Sequence, residues 1–157
     1  IITKKTASLI ASCCAIGAAA GGANPEQVVK MHDFGMKAGI AFQIKDDLFD
    51  YGDIDVGKPL AIDIKEHKMT LPLIHALGNA GYWEKRKVIN IVKSNNNDRK
   101  KVAYVLDFVK QNGGIEYATS KMNDYHKASI ELLKSVSESE EATNLKNLVD
   151  FVIERKN

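Results

Sequence analysis

Gln43, Asp46, Asp47 and Asp50 stand inside the run Phe42-Gln43-Ile44-Lys45-Asp46-Asp47-Leu48-Phe49-Asp50-Tyr51, three carboxylates and an amide in a markedly apolar segment. On an α-helix these positions are i, i+3, i+4 and i+7, so the four side chains share one face. Like charges stacked in that way destabilise a helix unless a counter-charge neutralises them. A hard divalent cation suits carboxylate oxygens, and Mg2+ binds through one or two carboxylates while keeping waters and substrate phosphate oxygens as its other ligands. The segment reads as a place for a metal and a phosphorylated ligand. The plainer reading is a solvated acidic patch at a helix end.

The rest of the chain limits what could surround such a site. Its 157 residues fit a single domain, residues 1–157, and 45% hydrophobic content is enough for a sizeable core. A net charge of +2 is too mild for a nucleic-acid surface, and the clusters Lys85-Arg86-Lys87 and Arg99-Lys100-Lys101 read as solvated helix faces. Cysteine occurs only as the adjacent pair Cys13-Cys14, with no partner for a bridge and no metal-ligand spacing, which points to a reducing, cytoplasmic setting. No secretory signal is visible. The apolar stretch 7–23 is built of Ala, Gly, Ser and Cys rather than Leu and Phe, so it reads as a tightly packed internal helix and not as a membrane span. The chain opens on Ile1-Ile2-Thr3 with no methionine and is helix-like almost at once, which suggests a beginning inside a larger protein.

Every regular segment has the helical period and none alternates like a strand, so the expected fold is an all-α helical bundle. A first helix is expected over 3–20, ended by Gly21-Gly22. Asn24 offers an N-cap, Pro25 a first helical position and Gln27 a capping-box partner, so a second helix should run from there to about residue 51. Apolar on nearly every side, it should be central. Residues 52–59 read as a loop from their glycines and proline, and 63–68 as a short charged segment. A further helix should span about 70–78, with others near 82–93, 99–111, 115–136 and 140–156. In the 115–136 helix, Ile115, Ala118, Met122, Tyr125, Ser129, Leu132 and Val136 form one stripe, assigned to core packing. The small residues Ala11, Ser12, Ala15, Gly17 and Ala18 suit either close helix packing or room for a ligand's chain.

The motif Phe-Gln-x-x-Asp-Asp-x-x-Asp, followed by Gly57-Lys58-Pro59, Asp63-Ile64-Lys65-Glu66-His67-Lys68 and Thr70-Leu71-Pro72-Leu73, resembles the second aspartate-rich region of trans-isoprenyl diphosphate synthases. Lys4-Lys5-Thr6-Ala7-Ser8-Leu9 is similar to that family's Lys-Thr segment one helix earlier. The resemblance covers roughly the first half of the chain. The Leu-Pro-Leu continuation and the Asp-Tyr ending look closest to bacterial medium- or long-chain synthases of the octaprenyl type. What the resemblance implies is the isoprenoid synthase fold, C-terminal portion, and prenyl chain elongation from an allylic diphosphate and isopentenyl diphosphate with Mg2+. It implies metal contact by Asp46, Asp47 and Asp50, diphosphate binding by Lys5, Lys58 and Lys68, and polar groups of Lys5, Thr6 and Gln43 lining the reacting region. A homodimer is also the family expectation.

The sequence departs from the family where the first aspartate-rich region and its arginines would be; arginine occurs only at Arg86, Arg99 and Arg155. The chain thus looks like the C-terminal half of such an enzyme, inactive by itself, with early helices presenting apolar surface. His67 stands where the family often has glycine. The competing readings are a relative of squalene or phytoene synthases and, from a different class, a non-catalytic partner or accessory subunit.

Overall fold

The computed structural model describes residues 6–52, 61–94 and 98–155, so Lys5 and Lys58 lie outside the described residues. Among the described residues it contains eight α-helices and no strand: α1 Thr6–Ala20, α2 Pro25–Phe49, α3 Ile62–Lys65, α4 Leu71–Asn79, α5 Tyr82–Ser94, α6 Arg99–Gln111, α7 Gly114–Val136 and α8 Glu140–Glu154. The all-α expectation holds, and α2 and α4 to α8 fall within a turn of their sequence-based bounds. The charged 63–68 segment differs, because it begins with the single helical turn of α3. The chain divides into two compact units, Ile1–Lys45 with Lys121–Asn157, and Asp46–Ser120.

In the first unit α1 stops as its glycines dictate. Gly22 takes the left-handed conformation (φ 82°), and Ala23 N–H donates to the Ala18 carbonyl at 3.0 Å, which satisfies a carbonyl of the last turn. The capping box that opens α2 is reciprocal: Gln27 N–H donates to Asn24 Oδ1 at 2.9 Å and Asn24 N–H to Gln27 Oε1 at 3.1 Å. Helices α1 and α2 then meet through small residues. A Cβ on Gly35 would lie 2.8 Å from the Ala11 Cα, and one on Gly39 would lie 2.7 Å from the Ala7 Cα, while Ala7 and Ala11 are themselves fully buried. Ala11 is therefore a packing residue, whereas Gly17 has open space where a Cβ would go.

Met31 and Phe34 of α2 share a core with Leu133 of α7 and Ala142 of α8. The α7 stripe is largely as expected: Ala118, Met122 and Ser129 are buried, with Leu133 added to it. Helix α2 is less enclosed than its composition suggests, since Val29 is exposed, as are Leu9 and Ile16 on α1.

The second unit is organised by α4, α5 and α6, whose buried residues Leu73, Val88, Val92, Val105 and Val109 form one core together with Ile64 of α3. Asp98 caps α6 by accepting from Lys100 N–H at 2.9 Å. Gly113 takes a left-handed conformation (φ 70°), and a Cβ on Gly114 would collide with the Pro72 carbonyl, so only glycine allows α7 to begin against the start of α4.

Candidate functional site

The second unit begins at Asp46; Asp46 and Asp47 lie in the last turn of α2, and Asp50 in the turn that directly follows it. After Phe49 the helix tightens, with Tyr51 N–H donating to the Leu48 carbonyl at 3.1 Å and Gly52 N–H to the Phe49 carbonyl at 3.2 Å. Tyr51 is thereby turned into the core, where its hydroxyl shares a 2.5 Å hydrogen bond with Thr70 Oγ1. Burial, together with the negative charges of Asp47, Asp50 and Asp63, pushes the Tyr51 phenol well above its ordinary range. It is a fixed neutral strut between the end of α2 and the start of α4.

Each carboxylate of the motif that has a described contact is tied to backbone. Near Asp47 lies the Leu71 N–H, one of the amides at the start of α4 that no intrahelical carbonyl can satisfy, and it favours the ionised carboxylate. Asp50 accepts from the Asp63 N–H through its side chain and from the Ala61 N–H through its carbonyl at 3.3 Å. The chain entering the 53–60 segment and the chain leaving it are thus stitched together at Asp50. Asp63 continues the network, accepting from Lys68 Nζ at 2.8 Å, and Lys68 reaches Glu66 at 2.8 Å as well.

The electrostatics follow from this crowding. Burial first, then the charge of Asp63, and less strongly Asp46 and Asp50, together raise the Asp47 carboxyl to about 6 against the opposing Leu71 amide. Burial also raises Asp50, with the Asp63 amide opposing. Lys68 is held above its usual range by its hydrogen bonds to Asp63 and Glu66, so it stays cationic. Among the described residues, no three His, Cys, Asp or Glu groups already converge to hold a metal ion on their own. An all-oxygen set whose carboxylates are short of counter-charge fits a hard cation that needs only one or two protein ligands, and it does not fit a soft metal.

Of the residues singled out by sequence, Asp46, Asp47, Asp50 and Lys68 come together in the second unit. Gln43 is half-buried one turn earlier on α2, and Thr6 is the first residue of α1 in the other unit. Sequence reasoning missed Asp63 as the group joining Asp50 to Lys68. The available signal was an acid five residues before a motif lysine, directly after a Gly- and Pro-containing segment.

His67 repays its unusual position. It adopts a left-handed conformation (φ 58°), the kind of backbone that favours glycine, and its Nδ1 is 2.7 Å from the Val92 carbonyl, so that nitrogen carries the proton and donates. The strain of an L residue there costs ~1–2 kcal/mol and the hydrogen bond returns ~0.5–1.5 kcal/mol. We expect His67→Ala, which keeps the strain and loses the bond, to destabilise by ~1 kcal/mol, and His67→Gly to change stability by less than that; chemical denaturation midpoints of the two variants measure the difference.

The family model described as Polyprenyl synthetase matches residues 1–109. The chain is 37% identical, over 99% of its length, to 48% of a short chain isoprenyl diphosphate synthase of Methanothermobacter thermautotrophicus. Among solved structures, it superposes on geranylgeranyl pyrophosphate synthase from Bacteroides thetaiotaomicron with a TM-score of 0.88 and 36% identity, covering 98% of this chain and 51% of that one. Geranylgeranyl pyrophosphate synthase from Corynebacterium glutamicum, in a structure complexed with calcium and isoprenyl diphosphate, matches with a TM-score of 0.85 and 30% identity over 98% of this chain and 48% of that one. The chain therefore spans about half the length of these relatives. None of the three is named an octaprenyl synthase, so that detail stays with the motif resemblance.

Proposed function

Since the chain belongs to the polyprenyl synthetase family, we propose that it supplies the metal- and diphosphate-binding wall of a chain-elongating prenyltransferase. The reaction joins isopentenyl diphosphate to an allylic diphosphate: the allylic carbon–oxygen bond ionises, the double bond of isopentenyl diphosphate attacks the cation, and a proton is lost. Mg2+, when bound, supplies positive charge to the departing diphosphate. Asp46, Asp47 and Asp50 would hold that ion. Calcium, found with isoprenyl diphosphate in the Corynebacterium glutamicum relative, is a cation of the same hard class.

Lys5, Lys58 and Lys68 would bind the diphosphate oxygens, and Lys5, Thr6 and Gln43 would present fixed dipoles or charge to the reacting region. Lys68 has a built-in rest position on Asp63 and Glu66, so a diphosphate would compete chiefly with the exposed Glu66 for its ammonium. A homodimer and a cytoplasmic setting belong to the same reading. Among the described residues, no helix is long and apolar enough to cross a membrane.

The observation that carries the proposal is the crowding of Asp46, Asp50 and Asp63 about the Asp47 carboxyl, with Lys68 held on Asp63. Calorimetric titration with inorganic pyrophosphate tests it. We expect heat of binding with Mg2+ present and little without it; equal binding in both conditions would leave the carboxylates without a purpose and overturn the reading. Labelled isopentenyl diphosphate should be incorporated only when the chain is accompanied by a second aspartate-rich region, and incorporation by this chain alone would refute that requirement.

A further inference from the structure

Helix α5 (Tyr82–Ser94) buries Val88, Ile91 and Val92, so the helical period turns Tyr82, Trp83, Arg86, Asn90 and Lys93 to the opposite side. Trp83 is 77% exposed and Tyr82 67% exposed. Their rings meet edge to face at 5.3 Å, and the Tyr82 hydroxyl lies 3.5 Å from Arg86 Nη1. Arg86 and Lys93 share a shallow hollow with Ile89 and Asn90, and a second hollow continues from Ile89 and Lys93 to the half-exposed Met69.

The charge is equally lopsided. Residues 82–101 carry seven Lys or Arg against two acids, although the whole chain is only +2, so the remainder is net acidic. Lys87 is engaged by the Tyr104 ring of α6 at 3.8 Å, which fixes α5 against α6 and leaves Arg86 and Lys93 on the outer side. Glu84, two residues from Arg86, lies about 200° away from it around the helix and does not neutralise that face.

We propose that this outer face of α5 seats the chain reversibly on an anionic lipid surface. Amphipathic Trp and Tyr rings enter the headgroup level of a bilayer, and Lys and Arg beside them meet lipid phosphates. The lone reading of Lys85-Arg86-Lys87 as a solvated face omits the aromatic pair that precedes it on the same helix. A nucleic acid is the weaker match, since rings locked edge to face do not offer parallel platforms for stacked bases. The inference is independent of the proposed transferase chemistry.

Trp83 is the only tryptophan, so its fluorescence reports on the patch directly. Vesicles of equal parts phosphatidylglycerol and phosphatidylcholine at low salt should shift its emission to shorter wavelength and protect it from acrylamide, whereas pure phosphatidylcholine should do neither. The double variant Arg86→Glu/Lys93→Glu, at two exposed positions, should keep its helical circular dichroism and bind these vesicles at least ~10-fold more weakly. The proposal is overturned by an unchanged spectrum with anionic vesicles, by equal response to neutral ones, by the same response to single-stranded RNA, or by Trp83 already protected in vesicle-free solution.

Discussion

Replacing Asp46 and Asp47 together by Ala should lower turnover of a complete synthase carrying this chain by ~10³-fold or more, the scale expected when transition-state charge stabilisation is removed. The loss should appear in kcat with Mg2+ saturating, because the carboxylates act on charge that grows as the diphosphate departs. Unchanged turnover would instead favour the reading of the chain as a non-catalytic partner. Asp47 has an opposite effect on the metal-free fold. Asp47 has its carboxyl raised to about 6 from an ordinary value near 3.8, so the folded state holds a proton more tightly than the unfolded chain.

The sign follows from that inequality. Stability is greatest when Asp47 is protonated, falls as pH climbs from about 4 through about 6, and is level above that window. Asp47 is only partly buried, so after allowance for screening by solvent the loss is ~1–2 kcal/mol. Asp47→Asn should flatten this slope and leave the metal-free chain more stable than wild type at pH 7, as measured by urea denaturation across that range. Mg2+ with pyrophosphate should flatten it in wild type and have little effect in the variant. A wild-type chain whose stability rises between pH 4 and 6 from this region would contradict the crowding of carboxylates at α2.

The parts of this arrangement that were legible in the sequence are those fixed by local period and local hydrogen bonding. Gln43, Asp46 and Asp47 share a helix face because 3.6 residues make a turn, whereas Asp50 lies just past the end of α2, and Asn24 with Gln27 opens α2 because the capping box needs only residues three apart. Asp63 was not legible in the same way. Its amide meets Asp50 only after the chain has returned through 53–60, and no spacing rule encodes that closure.

The His67 backbone is a middle case. The motif resemblance set His67 against an expected glycine, but the Val92 carbonyl that steadies its left-handed backbone comes from a helix 25 positions away. Lys5 and Lys58 rest on motif resemblance, since both lie outside the described residues. Asp63 and Tyr51 also alter how the motif is understood. Asp50 fastens the start of α3, so a substitution there changes the scaffold along with the charge.

Gly39→Ala should strongly destabilise the first unit. The new Cβ would lie 2.7 Å from the Ala7 Cα and 3.1 Å from the Ala7 Cβ, against backbone of a helix that cannot swing aside as a side-chain tip would. Overpacking of this kind costs ~1–3 kcal/mol, which for a chain of this size lowers Tm by roughly 3–10 °C. Gly35→Ala meets the Ala11 Cα at 2.8 Å and the Ile10 carbonyl oxygen at 2.9 Å, both backbone, as well as the Cys14 Sγ at 2.9 Å, so its penalty should be at least as large. Ala7 directly follows Thr6, so any outward shift of α1 that relieves Gly39→Ala carries Thr6 with it. The variant should therefore lose turnover in a complete synthase even at temperatures where it remains folded. Gly17→Ala, with no heavy atom within 4 Å of the new Cβ, serves as the control and should raise helix stability by ~0.5–1 kcal/mol. Equal thermal midpoints for Gly39→Ala and Gly17→Ala would mean that α1 and α2 do not approach each other at these alanines, and the small-residue seam would lose its role as the element that fixes Thr6.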